Sequence, residues 1–434
     1  MQACQANSSS AAADALVTVP ESSARTLTRA TMTVFSFAGA MLIAASSSAV
    51  TPLYHLYQAS MHLTPFWITI VFSSYVASLL TALLTVGGLS DYVGRRPVIL
   101  VALLLNAAAM VLFSEAQGVG QLILARMVQG LSVGVGTTAL GAAILDTNRV
   151  RGPLLNSVTA FLGMTAGSLG AAALITFASD PLHRVYEVLL GLTVLLIALL
   201  YVMPESSTRK IGALASLRPQ VRVPPQSRVI LARLTPANVA AWSLGGLYLS
   251  LMPTVVATAM GIASPWVGGV VVAALMLTAA IAVATSRNWP VRRLIVLSTS
   301  TLGLGVAITM IGIEQQQVAA LLAGTMIAGA GFGSTFSGTL RALLPTAEPH
   351  QRAGLLSAFY LQSYLAFAVP AVVAGLSVPQ IGLATTAYIY GAVIILLAFI
   401  SMMASLWTER YRFQAKWKPV RVKKTRQTKT RARF

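Results

Sequence analysis

Charge is scarce in this chain: 9% of its 434 residues are Asp, Glu, Lys or Arg, against about 25% in soluble domains. With 56% apolar residues, that scarcity excludes a soluble globular protein. Acid is scarcer still, at 11 residues against 30 basic ones, and no acid falls in the middle of a long apolar run. Cysteine is reduced to Cys4, which excludes an internal disulfide and a thiolate metal site. No G-x-x-x-x-G-K-[ST] phosphate loop occurs, so ATP does not drive this chain through a motif of its own. His, Asp and Glu nowhere converge at membrane depth, which argues against a membrane-embedded enzyme, and no cofactor or metal is expected. No cleavable signal stands out before the first long apolar run.

Long apolar runs are what the chain has instead. About 20 apolar residues span a bilayer core, and twelve such runs can be read: 33–57, 66–88, 97–115, 119–145, 154–178, 185–203, 237–260, 265–286, 291–313, 317–341, 354–376 and 383–406. The expected class is all-α integral membrane, with twelve transmembrane helices. The expected organisation is a disordered lead (1–32, with Met32 as an alternative start), a six-helix bundle (33–203), a basic linker (204–236), a second six-helix bundle (237–406) and a basic tail (407–434). Of the 30 Lys and Arg, 28 fall on one side of the alternating loops, Arg184 falls on the other, and Arg126 lies inside the fourth run. The positive-inside rule then places both termini in the cytoplasm.

An internal repeat supports two parallel halves. G-V-G-T-T-A-L-G (134–141) is echoed by G-F-G-S-T-F-S-G (331–338), and R-G-P-L-L-N-S (151–157) by R-A-G-L-L-S-A (352–358). Pro52 in run 1 and Pro253 in run 7 stand 201 residues apart. Three echoes in one order and at nearly one period imply like-oriented bundles enclosing a midplane path.

The stretch Gly87–Arg96, G-G-L-S-D-Y-V-G-R-R, joins runs 2 and 3 so tightly that a hairpin must form. Gly87, Gly88 and Gly94 remove side chains where helix ends approach. Asp91 can meet a helix N-terminus or an arginine, and Arg95 and Arg96 hold the loop in the cytoplasm. The stretch resembles the loop signature of the major facilitator superfamily, G-x-x-x-D-x-x-G-R-R, through Gly87, Asp91, Gly94, Arg95 and Arg96. R-M-V-Q-G (126–130) is similar to that family's fourth-span R-x-x-Q-G motif, through Arg126, Gln129 and Gly130, and M-P-E-S (203–206) to its usual close of span 6. The resemblance covers about 33–406. It implies secondary transport by alternating access, in a bacterial inner membrane, with protons or another ion as the driving partner. In proton-coupled members the span-4 arginine is associated with coupling. Drug exporters of the family often carry Gly-Pro in span 5, where this chain has Gly170-Ala171.

Arg126 is the sharpest single residue, because a central arginine costs about 2.5–3.5 kcal/mol on insertion scales and normally faces the bundle interior. Snorkelling to the outer surface is the alternative. Asp146 and Arg151 flank the 4–5 loop and are expected to join Asp91 and Arg95 in a cluster that latches the halves. Polar and aromatic side chains in apolar runs suggest the path lining: Thr51, Tyr54, Tyr75, Trp242, Tyr248, Phe336 and Gln362. Gln362 ranks next after Arg126, since a mid-span amide needs a partner. Glu115, Glu187 and His55 are the nearest titratable candidates for coupling.

The resulting expectation is a transporter of a small organic solute, with proton-coupled efflux of amphipathic compounds favoured by an aromatic path bearing one arginine. Proton-coupled uptake of a small metabolite is the alternative, and a non-transporting membrane sensor is the rival of another class. The tail's eleven basic residues from Arg410 onward point to anionic inner-leaflet lipid, about 1 kcal/mol per residue near the surface, rather than nucleic acid. A monomer is expected.

Overall fold

In this computed structural model, which describes residues 23–207, 210–261 and 264–416, the chain forms helices joined by short turns, and no strand occurs among the described residues. Cys4, the lead before Ser23, Arg209 and the tail from position 417 lie outside them. The long helices are α1 (Ser23–Ala49), α2 (Pro65–Val86), α3 (Arg95–Ser114), α4 (Val119–Thr147), α5 (Gly152–Phe177), α6 (Pro181–Leu200), α7 (Pro225–Ser250), α8 (Pro265–Thr285), α9 (Val291–Glu314), α10 (Val318–Leu343), α11 (Arg352–Ile381) and α12 (Leu383–Lys416). Eleven are apolar and long enough to cross a membrane, and α7 makes a twelfth span when joined to Met252–Ala259 across a 58° bend.

The interruptions at Pro52 and Pro253 have a common logic. Proline lacks an N–H, so the carbonyl four residues back loses its helical donor. After α1 the Thr51 N–H turns to the Ser48 carbonyl (3.0 Å) and the Leu53 N–H to that of Val50 (3.1 Å), before a short helix resumes at Tyr54–Met61. After α7, Pro253 of the short helix Met252–Ala259 strands the Leu249 carbonyl in the same way. Lipid offers no hydrogen bond, so such carbonyls need partners from other helices.

The repeat appears as packing. A Cβ on Gly130 or Gly134 of α4 would strike Tyr75, Ser78 and Leu79 of α2, and one on Gly329 or Gly333 of α10 would strike Leu275, Thr278 and Ala279 of α8. Each glycine pair therefore lets its helix lie against the equivalent neighbour, 199 or 200 residues apart. The pairs α3 with α6 and α9 with α12 match in the same sense.

The basic stretch before α7 is shorter than its composition suggests. α7 starts at Pro225, because Ile230, Leu231 and Leu234 form an apolar face that packs on Leu343, Leu355 and Phe359. Arg228 and Arg233 are exposed on the flanks of that face, so charge masked a helical period that is present.

Several contacts join the two halves across their seam. Thr51 Oγ1 donates to the Leu249 carbonyl (3.2 Å), Ser168 Oγ to that of Gly269 (3.1 Å) and Thr254 Oγ1 to Gln58 Oε1 (3.0 Å). Gly375 of α11 lies so close to Thr69 of α2 that a Cβ would collide with it. All these residues lie toward the membrane face remote from the chain ends.

Candidate functional site

Arg126 sits in a nest assembled by the features described above. Gly130, one turn along α4, brings α2 close, and this places the Tyr75 ring 5.3 Å from the guanidinium carbon. Tyr54 and Phe113 approach at 5.4 and 5.9 Å. The broken end of α1 supplies the acceptors. Arg126 Nη1 donates to the Ser47 carbonyl (3.0 Å) and to Gln129 Oε1 (2.6 Å), and Nη2 donates to the Tyr54 hydroxyl. Gln129 is fixed in turn by Nε2 donating to the Ser46 carbonyl (2.9 Å). Arg126 is 1% exposed, so it does not snorkel to the surface. Desolvated rings contribute up to about 2 kcal/mol each, enough to offset an insertion cost of about 2.5–3.5 kcal/mol without any anion. The nest is nevertheless cationic. Among the described residues Arg126 has no carboxylate partner, and its Nε has no acceptor.

An aromatic wall faces the nest from the second half. Trp242 of α7 lies 4.9 Å from Tyr364, 5.7 Å from Phe367 and 6.0 Å from Phe336, ring centre to ring centre. Phe161 of α5 meets Phe336 edge-on at 6.3 Å, and Phe72 of α2 meets Phe367 at 5.0 Å. Phe72 and Tyr75 share a face of α2 at i and i+3, so one helix links the arginine to the wall. The Trp242 indole N–H is buried without an acceptor.

Of the sequence-selected residues, Thr51 lies on the seam, Tyr54, Tyr75, Arg126, Gln129 and Gly130 form the nest, and Trp242 and Phe336 form the wall. Two lie elsewhere. Tyr248 is inside the second bundle, its hydroxyl 2.8 Å from Thr325 and 3.4 Å from Thr309. Thr325 stands 199 residues after Arg126 and Tyr248 stands 201 after Ser47. The second half thus fills the equivalent corner with a neutral hydroxyl cluster, and the buried charge belongs to the first half alone. Gln362 donates to Thr235 Oγ1 (2.7 Å) and braces α11 against α7, beside a groove lined by Val239, Leu365 and Pro370.

The loop after α2 forms a second charged cluster. Arg95 Nη1 pairs with Asp91 (2.6 Å) and its Nε with Asp146 (3.0 Å). Nη1 also donates to Ser90 Oγ (2.7 Å). Every member belongs to the first bundle, so in this state the cluster ties the 2–3 loop to α4 and does not latch the halves. Among the described residues the Arg151 side chain stays outside it, and its N–H donates to Asn148 Oδ1 (2.9 Å). Composition alone passes over Glu205 of the M-P-E-S stretch. Its carboxylate accepts the N–H groups of Arg95 (2.8 Å) and Arg96 (3.1 Å), capping α3 at its positive end. Gly94, at φ 106°, makes the turn that exposes those groups, and a Cβ there would crowd the same carboxylate. Arg96 Nη2 completes the join by donating to the Tyr201 carbonyl (3.0 Å).

Comparison with known proteins gives a consistent picture. The family profile described as Major Facilitator Superfamily matches residues 36–288. Over 291 residues the chain is 25% identical to Multidrug resistance protein MdtL of Klebsiella pneumoniae (strain 342), covering 62% of this chain and 71% of that one. MdtL of Shewanella sp. (strain ANA-3) is 32% identical over 113 residues, 25% of this chain and 28% of that one. Among solved structures, a bacterial homologue of the human lysosomal transporter Spinster, inward-facing and unoccupied, superposes with a TM-score of 0.70 at 13% identity, over 90% of this chain and 99% of that one. The nucleoside transporter NupG superposes at 0.65 and 12% identity, over 87% and 98%. At such identities these two structures speak to fold alone.

Proposed function

This chain belongs to the Major Facilitator Superfamily and is a multi-pass secondary transporter of small solutes, and we propose that it exports amphipathic organic compounds along a path centred on Arg126. The carrying observation is the meeting, at the seam of the halves, of a guanidinium without a carboxylate and a wall of aromatic rings. Apolar bodies are held by such rings, and a polar head finds donors in the nest. The direction rests on similarity to proteins named for multidrug resistance. A gradient, with protons as the coupling ion, supplies the energy.

Rocking of two bundles about a midplane site exposes it alternately to each face. With both termini in the cytoplasm, as the Lys and Arg distribution supports, the closed face is the outer one and this conformation is inward-facing. The basic tail then lies against anionic inner-leaflet lipid, and the transporter acts as a monomer. A counterflow panel of organic cations, anions, neutral dyes and sugars in proteoliposomes tests the reading. Accumulation of amphipathic compounds above protein-free vesicles supports it. Sugar-selective counterflow, or none for any compound, refutes it.

A further inference from the structure

The charge balance of the nest points to a class of substrate. Arg126 is 1% exposed and makes hydrogen bonds only to neutral acceptors: the Ser47 carbonyl, Gln129 Oε1 and the Tyr54 hydroxyl. Buried charges are ordinarily paired. Every carboxylate among the described side chains lies near a helix end or in a loop, as with Glu115 capping α3, Asp146 near the end of α4 and Glu314 closing α9. The described residues therefore supply no counter-charge at this depth.

The orphaned atom is also in a telling position. Nε and Nη2 form the side edge of a guanidinium, the edge that matches the two oxygens of a carboxylate. Here Nε has no acceptor, and Nη2 is held by the Tyr54 hydroxyl, a group able to donate its own proton to an oxyanion. A second orphan, the Trp242 indole N–H, lies in the aromatic wall. One end of the site thus asks for an oxyanion, and the other accepts rings and a hydrogen-bond acceptor.

Resting on the transport reading above, we infer that the substrates are amphipathic organic anions, their carboxylate or equivalent oxyanion held by Arg126 Nε and Tyr54 and their apolar body by the Trp242 wall. The bound anion supplies the missing counter-charge, so the nest is neutral when loaded and cationic when empty. An unloaded nest is the costlier one in a low-dielectric site, and binding of the anion relieves that cost.

The test measures binding to the full chain in nanodiscs of neutral lipid, using 1-naphthoate, naphthalene-1-methanol and 1-naphthylmethylammonium. These probes share a ring system and differ in charge. The expected result is at least tenfold tighter binding of naphthoate than of either analogue. That preference is lost in Arg126→Gln and kept, with weaker affinity, in Arg126→Lys. Equal binding of the ammonium probe to the wild-type protein would overturn the inference, a result that needs no variant to fold. A preference surviving in Arg126→Gln would overturn it too. Chloride binding that naphthoate fails to displace would make the occupant an inorganic counter-ion and would likewise overturn it. Flux of a neutral dye without anion preference would sink this inference and leave the transport reading intact. Anion-selective binding without flux of any compound would uphold the inference and remove transport.

Discussion

The Thr51 hydroxyl of the first bundle donates to the Leu249 carbonyl of the second at 3.2 Å, and that carbonyl is the one whose helical donor Pro253 removes. The break in one half thus creates the acceptor that the other half uses to hold the seam at the face remote from the chain ends. A side-chain hydrogen bond of this kind contributes about 1 kcal/mol, enough to move a two-state opening equilibrium by a factor of about five.

Thr51→Val keeps the shape and deletes the donor. We expect the face remote from the chain ends to open more often, raising the rate at which a cysteine introduced as Gln58→Cys, in a Cys4→Ser background, reacts with a maleimide. The expected increase is about fivefold. An unchanged rate would show that the bond does not help to hold the seam.

Gly375 meets Thr69 with no room for a side chain. Gly375→Leu should therefore prevent α2 and α11 from meeting and hold that end of the seam apart, while the lipid-facing surface is untouched. Flux should fall by at least tenfold with normal membrane insertion. Gly170→Ala is the control, since nothing lies within 4 Å of the added methyl, and it should transport normally.

The Glu205 cap predicts a stability effect well away from the path. Gly94 adopts φ 106° and ψ 158°, a region essentially reserved for glycine, where a side-chain-bearing residue costs about 1–3 kcal/mol. Gly94→Ala and Glu205→Gln should each lower the thermal unfolding midpoint in detergent. The two together should cost less than the sum of the singles, because both disturb one contact. Strict additivity would separate the glycine from the carboxylate.

Much of this was legible in the residues, for physical reasons that differ from place to place. The spans were readable because lipid demands about 20 apolar residues. The nest residues Tyr54, Gln129 and Arg126 were readable because polar side chains at that depth are costly. Their acceptors were not, since backbone carbonyls leave no mark in sequence and those of Ser46 and Ser47 serve at the broken end of α1. Tyr248 looked like path lining by composition, yet a tyrosine can satisfy its hydroxyl inside a bundle, as it does on Thr325. The offset of 201 from Ser47 was the available clue. Glu205 was readable only as part of a motif, because its partners are backbone N–H groups 109 and 110 residues away.

The most direct measurement is gradient-driven efflux of an amphipathic dye from proteoliposomes carrying equal amounts of inserted wild-type protein or Arg126→Ala. Removing the guanidinium empties the nest of its charge while leaving the helices and the outer seam in place. The account predicts flux in the wild-type vesicles that collapses when the proton gradient is dissipated, and flux in the variant reduced at least tenfold toward the protein-free level. Undiminished flux through Arg126→Ala would contradict it.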